Sequence, residues 1–167
     1  WSLEAIDSLT EDALGAIIRP SGYFNAKARK LKAFASHLRL NHAGDLDKML
    51  SQDTGPLRDE LLSIHGIGPE TADDIVLYAA GKPSFVIDTY THRIVQRLGI
   101  SGDIPSNNYH RLQSVFHDNL PADAPMFNEY HALLDRHAKE ACAKKPRCEG
   151  CCLLDMCDTG KQALNTG

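Results

Sequence analysis

An all-α fold divided into two helical lobes is the architecture that this sequence predicts. Apolar residues recur at three- and four-residue spacing through most of the chain, as in amphipathic helices. Turns containing glycine or proline separate these segments, and the only strand-like run, Phe85 to Ile87, is too short to build a sheet. The 167 residues are 43% hydrophobic and 24% charged, which suffices for one or two small domains and argues against disorder.

The first lobe, residues 1–82, is predicted to contain a series of short helices. Thr10 is placed to cap the first of them, Asn25 to cap the second, and Pro56 stands at a plausible first helical position of another. The last helix of this lobe is expected over residues 71–80. We expect Tyr23, Phe24 and Tyr78 to be core residues, and the basic residues of the second helix to form a solvated face.

The second lobe, residues 83–167, is predicted to contain three helices and a loop-rich tail. The helices are expected over residues 89–98, 109–119 and 126–141. Asp88 precedes the first of them, where a carboxylate satisfies unpaired amides as a helix cap. The same carboxylate, ionised and fixed at a helix start, also suits the stabilisation of a positively charged sugar. Both roles stay open on the residues alone.

A tight bend, Gly66-Ile67-Gly68, joins two helical segments. Two glycines around one apolar residue permit positive φ and close backbone approach, while Ile67 anchors the bend between the helices. The amides that open the next helix are suited to bind phosphate, which holds DNA without reading its sequence. The alternative is an ordinary helical corner.

All five cysteines lie between Cys142 and Cys157, which indicates a metal site in a reducing compartment rather than a disulfide framework. Four of them have the pattern C-x5-C-x2-C-x5-C, namely Cys142, Cys148, Cys151 and Cys157. This spacing favours an iron–sulfur cluster, with tetrahedral zinc as the alternative and Cys152 outside the ligand set. We also predict that any cluster is structural, because the sequence contains no other candidate redox centre.

A local basic face is needed for any contact with DNA, because the net charge of the chain is −4. Lys144, Lys145 and Arg147, within the cysteine segment, would supply it by contacting phosphates. A solvated run of charges is the alternative.

Together these motifs resemble the endonuclease III-like helix-hairpin-helix DNA glycosylases with an iron–sulfur loop. The hairpin is carried by the segment 61–72, and the segment Val86-Ile87-Asp88-Thr89 with Arg93 resembles the catalytic motif of that family. The resemblance implies a [4Fe–4S] cluster on the four cysteines and Asp88 as the catalytic aspartate. It also implies contacts to double-stranded DNA from the hairpin residues, His65, Gly66, Ile67, Gly68 and Thr71.

Glu70 stands where the bifunctional members of this family carry a lysine that attacks the sugar. A carboxylate cannot form a Schiff base, so the resemblance implies a monofunctional glycosylase with Glu70 at its site and water as the nucleophile. The alternative is an exposed first-turn acid that the helix dipole favours. Glu70-Thr71-Ala72-Asp73 and the segment 18–28 resemble the branch that removes alkylated purines such as 3-methyladenine.

Several other functions stay open. Within the family these are removal of thymine or uracil from mismatches and removal of oxidised pyrimidines with strand cleavage. The non-enzymatic alternatives are a DNA-binding module without catalysis and a helical interaction protein that a zinc ion stabilises. We expect a monomer without membrane contact, located in the cytoplasm and nucleoid of a bacterium or an archaeon. Because the family carries further helices before the segment that starts here, the N-terminal part of the first domain is expected to be absent.

Overall fold

The computed structural model describes residues 2–105 and 107–165, and these form two compact units, Trp1–Ala80 and Gly81–Gly167. The first unit contains six α-helices: α1 (Leu3–Ser8), α2 (Glu11–Ile17), α3 (Phe24–His42), α4 (Leu46–Leu50), α5 (Thr54–Ser63) and α6 (Pro69–Asp74). A π-helical turn, Ile75–Ala79, continues α6. The second unit contains α7 (Thr89–Arg97), α8 (Tyr109–Asn119), α9 (Ala124–Glu140) and α10 (Asp158–Asn165). The predicted all-α fold is confirmed.

The core of the first unit joins the C-terminal half of α3 to the helices on either side of the glycine bend. Its buried members are apolar side chains at helical spacing: Leu38, Met49, Leu57, Leu61, Ile64, Ile67, Ala72 and Val76. Full burial of one such side chain contributes about 1.5–3 kcal/mol, so this cluster fixes the positions of α5 and α6. The bend is thereby part of the core rather than a loop attached to it.

The second unit is organised around an extended segment, residues 81–88, whose centre is buried. Phe85 is fully buried and stacks on Phe116, with ring centroids 3.9 Å apart. Side chains of α8 take the place of a partner strand. The amide of Phe85 donates to His117 Nε2 at 2.9 Å, and its carbonyl accepts from Gln113 Nε2 at 2.8 Å. The strand-like run is therefore extended, but it pairs with a helix instead of a sheet.

Caps made by local side chains follow the sequence prediction in most places. Thr10 Oγ1 accepts from the Ala13 amide at 3.2 Å, which starts α2 as expected. The prediction for Asn25 was wrong, because α3 begins at Phe24 after Tyr23, which has φ +49° and makes no side-chain cap. Two helices, α1 and α10, lie where the pattern had indicated none, because both are short, with six and eight residues.

Three side chains of the first unit differ from their expected environments. Tyr23 is 90% exposed and Tyr78 is 46% exposed, so neither is a core residue. Lys32, expected on a solvated face, donates to three carbonyl oxygens at the end of α1, those of Ile6, Asp7 and Leu9. A lysine at a helix C-terminus satisfies carbonyls that have no partner within the helix, which the periodicity alone does not reveal.

Candidate functional site

The hairpin consists of α5, the glycine bend and α6. Gly66 has φ +83°, a conformation that residues with a Cβ atom rarely adopt, and a Cβ there would lie 2.9 Å from Lys30 Cγ. Gly68 has ordinary backbone angles and caps α6, so only the first glycine needs its conformational freedom. Ile67 is 8% exposed and belongs to the core, as its predicted anchoring role requires.

The exposed edge of the bend presents polar backbone. Within the described chain, the amides of Gly66 and Gly68 donate no hydrogen bond to another group. His65 is exposed, and Thr71 is partly exposed in the first turn of α6. Glu70 is exposed in the same turn, where the positive end of the helix favours a carboxylate. His65, Glu70 and Thr71 are therefore accessible around the bend, whereas Ile67, which was also predicted to contact DNA, is buried in the core.

A buried ion pair locks the two helices of the hairpin together. Arg58 on α5 donates from Nε to Asp73 Oδ1 at 2.7 Å and from Nη2 to Oδ2 at 3.0 Å. Asp73 is completely buried, and the two parallel hydrogen bonds fix the guanidinium plane. Sequence reasoning missed this pair, because neither residue has a local signal.

Asp88 caps α7 in the second unit. Its Oδ1 accepts from the Thr91 amide at 2.6 Å, while its Oδ2 lies 3.8 Å from His131 Nε2 on α9. Burial by itself raises the pKa of the Asp88 carboxyl. The neighbouring His131 ring and the hydrogen bond from the Thr91 amide outweigh burial, so its pKa lies below the ordinary value. Asp88 is thus an ionised carboxylate that the backbone holds in one orientation.

The structure brings the four predicted cysteine ligands to one small cavity. Cys142, Cys148, Cys151 and Cys157 all line a cavity of about 30 Å³ beside α7 and α9. Cys152 does not line it and is exposed. The cavity wall is otherwise largely apolar, with Ile94, Leu153 and Leu154 among its residues.

The sulfur atoms at this cavity already have hydrogen-bond donors around them. The Leu153 amide donates to Cys151 Sγ at 3.4 Å, and the Gly160 amide donates to Cys157 Sγ at 3.3 Å. Arg97 Nη1 donates to Cys142 Sγ at 3.2 Å. Such donors stabilise thiolates and tune a metal site through its surroundings. The donor set and the shared cavity fit a thiolate-bound metal centre.

Two arginines of α7 hold the segment that begins at Cys142. Arg93 Nε donates to the Cys142 carbonyl at 2.8 Å. Arg97 donates to the carbonyls of Ala143 and Lys144 at 2.7 and 3.1 Å. Because α7 also starts at Asp88, one helix carries the candidate catalytic carboxylate at one end and supports the cysteine segment at the other.

The predicted basic residues differ in their environments. Lys144 and Lys145 are exposed. The Arg147 guanidinium donates to the carbonyls of Lys139 and Glu140 and so caps the C-terminal end of α9. Arg147 therefore has a structural role that sequence reasoning had not assigned.

Two histidines of α9 have partners that no local sequence pattern indicates. His131 lies beside Asp88, and His137 Nε2 lies 3.7 Å from Cys151 Sγ. The first contact joins α9 to the start of α7 and the second joins α9 to the cysteine segment, so both depend on tertiary packing.

Comparison with known proteins identifies a family and several relatives that this sequence resembles. The family described as "HhH-GPD superfamily base excision DNA repair protein" matches residues 1–117. A "Putative DNA repair glycosylase MJ1434" of Methanocaldococcus jannaschii is 41% identical over 152 residues, covering 90% of this chain and 68% of that protein. An endonuclease III of Sulfolobus acidocaldarius is 34% identical over 140 residues, covering 84% of this chain and 59% of that protein.

Among solved structures, a non-covalent endonuclease III–DNA complex superposes with a TM-score of 0.81 at 24% identity, covering 98% of this chain and 72% of that chain. The fold is thus that of the helix-hairpin-helix DNA repair enzymes. The chain belongs to the HhH-GPD superfamily of base excision DNA repair proteins. It spans 59% to 72% of the length of the three proteins compared. In the part of the chain that the structure describes, no helix is long and apolar enough to span a membrane.

Proposed function

We propose that this chain is a monofunctional DNA glycosylase that hydrolyses the N-glycosidic bond of an alkylated purine in double-stranded DNA. The observation that carries the proposal is the fixed carboxylate of Asp88. Departure of a base leaves positive charge on the deoxyribose, and a carboxylate held in place stabilises that charge without reorganising. Since the pKa of Asp88 lies below its ordinary value, the carboxylate is charged at neutral pH.

The hairpin is the proposed grip on the DNA backbone. The amides of Gly66 and Gly68 donate no hydrogen bond within the described chain, and Ile67 between them is buried in the core. Backbone amides bind phosphate oxygens without regard to sequence, as an enzyme that scans for damage requires. His65 and Thr71 flank this turn, and Lys144 and Lys145 are proposed to contact phosphates from the cysteine segment.

Glu70 supports a hydrolytic rather than a lyase mechanism. It occupies the first turn of α6, at the position where the family's bifunctional members carry the attacking lysine. A carboxylate forms no Schiff base with the sugar, so we propose that water completes the reaction and the strand stays intact.

An alkylated purine suits such a sparse site chemically. N3-methyladenine is already a cation, and so its departure needs little acid catalysis. The enzyme then has to extrude the nucleotide and stabilise the sugar, and extrusion is easiest for a damaged base. The resemblance of residues 18–28 and 70–73 to the alkylpurine branch supports this substrate class. Thymine or uracil mismatches and oxidised pyrimidines are the other candidate substrates.

The four cysteines at the shared cavity are proposed to hold a [4Fe–4S] cluster. When bound, the cluster supplies a covalent link that closes the segment from Cys142 to Cys157 and so orders the residues it carries. Arg93 and Arg97 donate hydrogen bonds to carbonyl groups at the start of that segment. The Gly160 amide of α10 donates a hydrogen bond to Cys157 Sγ. Colourless purified protein containing stoichiometric zinc instead of iron would contradict this assignment.

The proposed reaction is tested by Asp88→Asn, with Asp123→Asn as a matched control. Both aspartates cap a helix, since Asp123 Oδ1 accepts from the Met126 amide at 2.7 Å. Asparagine preserves a cap in each case. We expect Asp88→Asn to reduce release of methylated purines by at least about a hundredfold and Asp123→Asn to leave it unchanged. Equal release by wild type and Asp88→Asn would overturn the catalytic role.

Two further measurements separate the alternatives. A panel of methylated purines, uracil, thymine mismatches and oxidised pyrimidines identifies the substrate, and DNA binding without release of any base would identify a non-catalytic module. Borohydride should trap no covalent adduct with abasic DNA. Efficient trapping would mean that another amine acts in place of the absent lysine and that the enzyme is bifunctional.

A further inference from the structure

Two histidines and one glutamate of the first unit form a cluster that is separate in sequence from the cysteines. His37 and His42 lie on α3, and Glu60 lies on α5. The Nε2 atoms of both rings point at one carboxylate oxygen, Glu60 Oε1, at 2.7 and 2.5 Å. The three side chains are 18%, 11% and 19% exposed. All three ligand atoms lie within 4.8 Å of one another.

Hydrogen bonds hold the carboxylate of this cluster in place. Glu60 Oε1 lies within hydrogen-bond distance of His37 Nε2 and His42 Nε2. Gln52 Nε2 donates to Oε2 at 2.6 Å and also to the Met49 carbonyl at 3.1 Å, which anchors the second oxygen.

One ring nitrogen of His42 has no partner. Its Nδ1 is buried, and among the described residues no group forms a hydrogen bond with that atom. Imidazole nitrogens and carboxylate oxygens are ligands that zinc ions accept readily.

We propose that His37, His42 and Glu60 bind a divalent transition-metal ion, preferentially Zn²⁺. Two nitrogen donors and one carboxylate oxygen match three-ligand zinc sites, which leave the fourth position to water. Hydrogen bonding of Gln52 to the carboxylate matches the support that such ligands receive from neighbouring groups.

Metal binding requires only a small rearrangement of these side chains. Zinc–ligand bonds of about 2.0–2.1 Å in tetrahedral geometry place ligand atoms about 3.3 Å apart. Each ring therefore withdraws from Glu60 Oε1 by less than about 1 Å, which rotation of the side chains provides. A neutral ring that carries its proton on Nε2 moves that proton to Nδ1 as the metal binds, so no net proton is released from it. Burial of the His42 Nδ1 proton lowers the affinity, and we expect a micromolar rather than a nanomolar Kd.

The ion would connect the C-terminal end of α3 to α5, the first helix of the hairpin. His42 is the last residue of α3, and Glu60 lies one turn before the end of α5. Occupancy of the site would therefore hold α5 against the longest helix of the unit without using any group of the hairpin bend.

The test is titration of the full chain, with its cysteine centre intact, with Zn²⁺ by calorimetry and with Co²⁺ by absorbance. Cobalt bound by thiolates gives intense sulfur-to-metal charge-transfer bands, whereas imidazole and carboxylate ligands give only weak visible bands. We expect wild-type protein to bind one ion without the charge-transfer bands. Nuclear magnetic resonance should show the ring protons of His37 and His42 shifting on titration with Zn²⁺.

Glu60→Gln and His42→Asn test the ligands, and His110→Gln, at an exposed histidine of α8, is the matched control. Glutamine keeps an oxygen that accepts from the histidines but removes the charge. We expect each cluster variant to weaken binding at least about a hundredfold and the control to bind as wild type does. Wild-type affinity in Glu60→Gln and His42→Asn, or cobalt binding only with charge-transfer bands, would overturn the proposal.

Discussion

Replacement of Arg58 by methionine probes the buried ion pair that joins the two helices of the hairpin. Methionine retains an unbranched apolar chain of similar length but removes both hydrogen bonds to Asp73. Asp73 has no exposed surface in the structure, and so water cannot replace the guanidinium without opening the interface between α5 and α6. The substitution therefore leaves a buried negative charge without its main partner.

The expected loss follows from that burial. Removing one member of a buried ion pair typically destabilises a protein by about 3–5 kcal/mol, because the remaining charge is uncompensated. Arg136 and Glu140 form an ion pair of the opposite kind, with 71% and 62% of their side chains exposed. Arg136→Met should change the free energy of unfolding by no more than about 0.5 kcal/mol and serves as the control.

Urea denaturation followed by circular dichroism measures the free energy of unfolding, and amide hydrogen exchange in α5 and α6 shows whether the loss is local. The double variant Arg58→Met, Asp73→Met removes both charges and should recover most of the stability, since apolar replacement of a buried pair is often neutral. A loss below about 1 kcal/mol in Arg58→Met, or a double variant no more stable than the single one, would refute the reasoning.

Three further predictions concern the second unit. The cap at Asp88 stabilises the fold while the carboxylate is ionised. Because the folded-state pKa is lowered, this contribution is fully present above the ordinary pKa of about 3.9 and is lost as the pH falls through the folded-state pKa. The free energies of unfolding of wild type and Asp88→Asn should therefore converge at low pH, and a difference that stays constant with pH would contradict this prediction. Arg97→Lys keeps the charge but not the planar set of donors that reaches Cys142, Ala143 and Lys144. We expect the purified variant to contain less iron per chain than wild type. An unchanged iron content would show that these contacts do not support the cysteine segment. Gly160→Ala would place a Cβ atom 3.2 Å from Leu154 Cδ1 and 3.4 Å from Cys157 Sγ. Although alanine favours helices, we expect this variant to have a lower iron content and a lower thermal stability than wild type. A gain in both would mean that the neighbouring side chains move to accommodate the methyl group without disturbing the cysteine segment.

Local signals predicted much of the fold correctly. The caps at Thr10 and Asp88 each depend on an amide three residues further along the chain, so the pattern that identifies them lies within one turn. The bounds of α8 were predicted to the residue for the same reason. The positive φ at Gly66 also follows from a short pattern, because a bend around one apolar anchor needs it.

The environments of individual charged and aromatic side chains were less predictable. Lys32 donates to carbonyls at the C-terminal end of α1, and Arg147 donates to carbonyls at the C-terminal end of α9. Tyr23, which we expected in the core, is exposed. A residue type sets which partners are acceptable, but it does not say which carbonyl or cavity lies within reach. Those outcomes depend on how the helices pack.

The sequence by itself determined the helical class, the bend, the candidate carboxylate and the group of cysteines, because each is recorded in residues close together along the chain. Tertiary structure alone decided which distant groups meet: Arg58 with Asp73, His131 with Asp88, and Arg97 with the cysteine segment. The physical reason is that a contact between side chains far apart in sequence exists only once helix packing has brought their backbones within a few ångströms. His42 and Glu60, 18 residues apart, became a candidate metal site in the same way.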